Sequence, residues 1–113
     1  MNKGEVWVVE IPPSNGHEQA GGRPAIIIAD TNSNIAVVIP LTSNLQALRF
    51  PRTIEIKPGS GNGLSSISVA LIFHIRAIDK KRLIKKIGDI GPGTRREIDH
   101  QLKSFLQLNQ HNG

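Results

Sequence analysis

Seven side chains with chemical potential stand at the ends of apolar runs. His17, Glu18, Gln19 and Arg23 share one polar, glycine-bearing stretch, residues 14–23, just before the run PAIIIAD. Thr42 and Ser43 follow the run IAVVIPL, and His74 follows SSISVALIF. An imidazole, with an ordinary pKa of about 6.5, can move protons at neutral pH. The planar fork of a guanidinium suits the oxygens of an anion. A hydroxyl can donate to the same oxygens. Each group is ordinary alone, so the elements between them must bring them together.

Standard catalytic signatures are missing: there is no GxGxxG, Walker loop, HExxH or GxSxG. The four histidines (17, 74, 100 and 111) lack metal-ligand spacing, and with no cysteine there are no disulfides, thiolate sites or cysteine nucleophile. Neither a metal nor a cofactor is expected. Length, 113 residues, predicts one domain. No apolar run approaches the roughly 18 residues of a membrane span, and the N-terminus has no secretory h-region. A soluble cytoplasmic protein is the expectation.

Fourteen Lys and Arg against nine Asp and Glu give a net charge of +5. The charge is polarised: residues 1–48 sum to −2 and residues 49–113 to +7. That asymmetry favours an acidic or polyanionic partner, although a solubilising face has the same composition.

GEVWVVEI (4–11) reads as a strand ended by Pro12-Pro13. PAIIIAD (24–30) and IAVVIPL (35–41) read as strands made antiparallel by the short link TNSN. Residues 42–51 read as a loop, RTIEIK (52–57) as an exposed strand and PGSGNG as a breaker. A long strand is expected over 65–73, with Ile67, Val69, Leu71 and Phe73 on one face, running into HIRAID. DKKRL reads as one helical turn capped by Asp79, and 84–90 as a strand. A helix over 94–108 is predicted, with a Thr94–Glu97 capping box and an apolar stripe of Ile98, Leu102, Phe105 and Leu106. His100, on its polar side, should face solvent. The sum is a mainly β fold with helical additions: a small antiparallel barrel with a C-terminal α-helix.

GEVWVV, GHEQAGGRPAIII, VVIPLTS, RTIEI, GL, SVAL and IRAIDKKRL, in that order, resemble the MazF/PemK (Kid) family of toxin endoribonucleases from about residue 4 to 108. The resemblance implies an SH3-like barrel of the CcdB/PemK type, a homodimer, and metal-independent cleavage of single-stranded mRNA. The family's products carry a 2′,3′-cyclic phosphate and a 5′-hydroxyl. It also implies a cognate antitoxin whose acidic C-terminal segment covers the active site. Both ligands suit the +7 half.

Cleavage of this kind needs a base for the 2′-hydroxyl proton, a cation for charge building on phosphate, and an acid for the leaving 5′-oxygen. Arg23 corresponds to the family's RP arginine, and Thr42 to the threonine after the third strand. His17 matches the histidine of the GHEQ motif, implicated in acid/base work. Glu18, Gln19, Ser43, Arg49, Arg52, Arg76 and Lys80 are the expected RNA contacts, Glu18 doubling as a partner for Arg23. Where many relatives have an acidic residue and a glutamine, this chain has Phe73-His74, and Leu71 replaces an arginine. Two readings of His74 follow: an acid/base partner of His17 or Arg23, or an RNA-binding group beside a slower Arg23–Thr42 site. Two rival functions also stand. One is a CcdB-like gyrase poison, and the other is a blunted RNA- or antitoxin-binding module.

Overall fold

A computed structural model describes residues 1–10 and 22–108. Among these, strands β1 (Glu5–Glu10), β2 (Gly22–Asp30), β3 (Ile35–Thr42), β4 (Thr53–Ile56), β5 (Ser68–Leu71), β6 (Arg76–Asp79) and β7 (Leu83–Asp89) precede helix α1 (Pro92–Phe105). The sheet order is β4-β5-β3-β2-β1-β7, with β6 also on β3, and each pairing is antiparallel. The result is the expected small, barrel-like fold, left unclosed between β4 and β7.

β-Branched residues fill β1 to β3, as a sheet covered on both faces requires. Val6, Ile26, Ile39, Leu41, Ile54, Ile56, Ala70 and Ile72 form one core with Ile98 and Leu102 of α1. Val9, Ala25, Ile27, Val38 and Ile78 form a second core on the opposite side. Burying Ile98 and Leu102 contributes about 1.5–3 kcal/mol each and seats the helix. Leu106, expected in that stripe, is 46% exposed because the helix has ended at Phe105.

Three local expectations are corrected. The helix begins at Pro92 with Gly91 as its N-cap, so Thr94 already lies inside the first turn and makes no capping box. The strand expected over 65–73 is confined to Ser68–Leu71, because a 3₁₀ turn at Ile72–His74 sends Ile72 into the core. Within the loop 42–51, Leu45–Arg49 forms a 3₁₀ turn capped by the Asn44 side chain, which accepts from the Gln46 N–H. The turn at Lys80–Arg82 is capped by Asp79 as expected, its carboxylate accepting from the Lys81 N–H at 2.9 Å.

The segment after β4 leans on the open seam. Asn62 is buried and organises it: Oδ1 accepts from the Gly59 and Leu64 N–H groups at 3.2 and 3.0 Å, and Nδ2 donates to the Lys57 carbonyl at 3.0 Å. The Asp89 N–H then donates to the Gly61 carbonyl at 2.8 Å, tying the loop to β7. Gly63 has φ +73, and a Cβ there would collide with the Ile87 carbonyl, so glycine is required at this crossing.

Candidate active-site cleft

The β2–β3 hairpin sets the central pair. Near its turn, Asp30 faces Ala36 and Ala29 faces Val37; beyond an irregularity between Ile27 and Ala29, Ile26 faces Ile39 and Ala25 faces Pro40. A bulge advances the register by one residue. The β2–β3 pairing ends at Ala25 and Pro40, so Arg23 and Thr42 each lie two residues beyond it, at the same end of the hairpin. On the outer sides, Arg23 pairs with Val9 and Thr42 with Val69.

Arg23, Thr42 and Ser43 line one cleft of about 360 Å³ with Gly22, Pro24, Val8, Leu41, Ile87 and the segment Gly63–Ser66 with Ser68. It lies where the Asn62 loop meets the ends of the strands. Arg23 is exposed and has no ion pair among the described residues. Thr42 is half-buried, and its Oγ1 accepts from the Asn44 N–H at 3.1 Å, which leaves its proton free to donate. Ser65 and Ser66 are exposed on the far wall, with no side-chain hydrogen bond among the described residues. Ser68 is buried, its hydroxyl donating to the Ser66 carbonyl at 3.2 Å. The sequence reading missed these serines. Their signal was three hydroxyls within four residues after a glycine cluster.

The remaining expected residues fall elsewhere. His17, Glu18 and Gln19 lie outside the described residues. His74 is exposed on the 3₁₀ turn, stacked near Phe73 and not on the cleft wall. Arg49 lies over Phe50. Arg76 pairs with Val38, about 14 Å along β3 from Thr42. Arg52 is built into the fold: with φ +63, it donates to Gln101 Oε1 at 3.3 Å, and its carbonyl accepts from the Ile72 N–H. Lys80 is spent on Asp30 at 2.5 Å, with its backbone N–H bonded to Asn34 beside the hairpin turn. That is the far end of β3, about 24 Å from Thr42, so Lys80 cannot serve the same cleft. No group of three or more His, Asp or Glu able to hold a metal ion occurs among the described residues. Among the described residues, no helix is long and apolar enough to cross a membrane.

The chain is thus a barrel-like sheet with one terminal helix and a cleft lined by an arginine and hydroxyls at the strand ends. The PemK-like, MazF-like toxins of type II toxin–antitoxin systems match residues 2–106. The endoribonuclease MazF of Staphylococcus epidermidis is 31% identical over 113 residues, covering 96% of this chain and 93% of that one. The MazE–MazF structure (form II) from Deinococcus radiodurans has the same fold, with a TM-score of 0.75 at 23% identity over 96% of this chain and 97% of that chain. A mycobacterial endoribonuclease in complex with its cognate antitoxin gives a TM-score of 0.66 at 19% identity, over 96% and 95% of the two chains. The chain belongs to the PemK-like, MazF-like toxin family of type II toxin–antitoxin systems.

Proposed function

We propose that this toxin is an endoribonuclease that cuts single-stranded mRNA in the Arg23–Thr42 cleft, using the RNA's own 2′-hydroxyl as nucleophile. The observation that carries the reading is the shared cleft: a guanidinium with no ion pair among the described residues, a threonine hydroxyl held by Asn44 and exposed serines converge from three separate stretches of chain. O2′ attacks the adjoining phosphorus and loses its proton to a base. The P–O5′ bond breaks, O5′ takes a proton from an acid, and the products are a 2′,3′-cyclic phosphate and a 5′-hydroxyl. No redox partner or external nucleophile is consumed, and the step needs no metal ion.

Arg23 binds a non-bridging oxygen and stabilises the charge that grows there. Thr42 donates to the phosphate or the 2′-oxygen. His17 is the assigned proton carrier, since the GHEQ stretch leads directly into β2 and Arg23. His74 is assigned to RNA contact, because it stands among aromatic rings and off the cleft wall. Ser43 completes the phosphate contacts.

The protein acts as a homodimer and is silenced by an antitoxin with an acidic C-terminal segment, which competes for the same cations. It works in the cytoplasm, where mRNA is found. The test is incubation of purified protein with a long RNA in EDTA, followed by mapping of 5′ ends. Cuts at a repeated short sequence, abolished by Arg23→Ala, are expected. Intact RNA with inhibited gyrase would overturn the reading in favour of a gyrase poison. Intact RNA with unaffected gyrase would leave a binding module.

A further inference from the structure

The two 3₁₀ turns that the sequence did not announce meet on one surface. Phe50 ends the first turn and is 47% exposed. Its ring centroid lies 6.3 Å from that of Phe73, at 60° between planes. Phe73 in turn lies 4.5 Å from the His74 ring, at 38°. The Arg49 guanidinium stands 5.1 Å from the Phe50 centroid. These separations are those of interacting ring pairs and of a cation held by a ring.

The chain has three phenylalanines and one tryptophan, and two of the phenylalanines sit here beside solvent. Core packing does not call for an exposed Phe50. The surroundings are cationic: Arg49 lies over Phe50, and Arg52, whose carbonyl accepts from the Ile72 N–H, stands beside the second turn. Rings set among cations suit a polyanion that also has aromatic faces, and single-stranded RNA is such a ligand.

The surface continues from the cleft. Asn44 bonds both to Thr42 and to the start of the first turn. Val69 pairs with Thr42, and β5 then runs from Val69 through Leu71 to the second turn and Phe73, about 11 Å further on. One RNA strand can therefore touch both places.

We infer that Phe50, Phe73 and His74, flanked by Arg49, form a stacking platform for one nucleobase of the RNA, beside the cleft and separate from it. The inference rests on the RNA reading given above. It makes this surface a determinant of where the strand sits, and so of which sequence is cut.

The test uses the full-length protein and a short 2′-O-methyl RNA of the mapped cleavage sequence, together with versions of that RNA bearing one abasic site each. Stacking of a base on an aromatic side chain is worth about 1–3 kcal/mol, so Phe50→Leu should weaken binding roughly 5- to 150-fold. Phe50→Trp should restore it. At one abasic position the difference between wild type and Phe50→Leu should vanish, which a structural effect of the substitution would not produce. Thermal melts confirm that the variants fold. Affinity changed less than about twofold, or an equal penalty at every abasic position, would overturn the platform. So would loss of the dimer with RNA affinity intact, which would make the patch, with exposed Leu45 and Leu48, a protein interface. Specific cutting by wild type without the Phe50 effect sinks the platform alone. A position-specific Phe50 effect together with cuts that leave 5′-phosphate ends sinks the catalytic reading alone. A long RNA that is neither cut nor bound sinks both.

Discussion

Asn62→Ala tests whether the cleft depends on a loop held by one carboxamide. The side chain makes three hydrogen bonds, two accepted from the Gly59 and Leu64 N–H groups and one donated to the Lys57 carbonyl. Each contributes about 0.5–1.5 kcal/mol net, and water can rescue part of the loss in a surface loop, so the substitution should cost about 2–3 kcal/mol. With a urea m-value of about 1–3 kcal/mol/M, the midpoint should fall by roughly 1 M or more. The assay is urea unfolding followed by circular dichroism, with RNA cleavage measured on the same samples. Arg23 and Thr42 are held by strand pairing and should stay in place, whereas the Gly63–Ser66 wall should fray. Cleavage should therefore fall even under conditions where the variant is fully folded. Asn62→Asp keeps the two accepted bonds and should lose less of both. A cost for Asn62→Ala below about 0.5 kcal/mol, with normal cleavage, would refute the reasoning.

Two further outcomes concern the framework. Burial pushes the Glu5 carboxyl up, but the Trp7 Nε1–H at 2.8 Å, a backbone bond at Asn2, Lys86 and the N-terminal ammonium pull it further down, so it lies below its ordinary value of 4.5. A lowered folded-state pKa gives stability that is present above about pH 4.5 and lost as pH falls through the folded value; urea melts from pH 7 to 3 should show the gap between wild type and Glu5→Gln constant above pH 5 and shrinking below it, and a gap independent of pH contradicts this. Gly63→Ala forces a side chain onto left-handed backbone and into the Ile87 carbonyl, so it should cost at least about 2 kcal/mol in the same urea assay, and a neutral result would mean that the loop does not cross β7 this closely.

The strands that carry Arg23 and Thr42 were legible because β-branched runs bounded by proline, glycine and a four-residue polar link leave few alternatives. The register of the β2–β3 hairpin was not legible: the bulge near Ile28 shifts it by one, and no residue type in AIIIAD marks it. The 65–73 run misled because its period-2 face, Ile67 to Phe73, is more apolar than the alternate one, yet Ala70 and Ile72 enter the helix-side core. Small residues at Ser68 and Ala70 fit a strand paired on both sides, and that is a tertiary fact. The capping box failed because Pro92 at the first helical position starts the helix earlier than Thr94 could. The serine wall was missed because a loop has no periodicity, and only contact with β7 brings Gly63–Ser66 opposite Thr42.

The central claim, attack by a ribose hydroxyl assisted by Arg23, is tested most directly with a single RNA at its mapped cut site. One version carries a ribose and the other a 2′-deoxyribose on the 5′ side of the scissile phosphate. The ribose version should be cut in EDTA to a 2′,3′-cyclic phosphate and a 5′-hydroxyl, and the deoxy version should bind and stay whole. Cleavage of the deoxy version, or 5′-phosphate ends from either, would contradict the account.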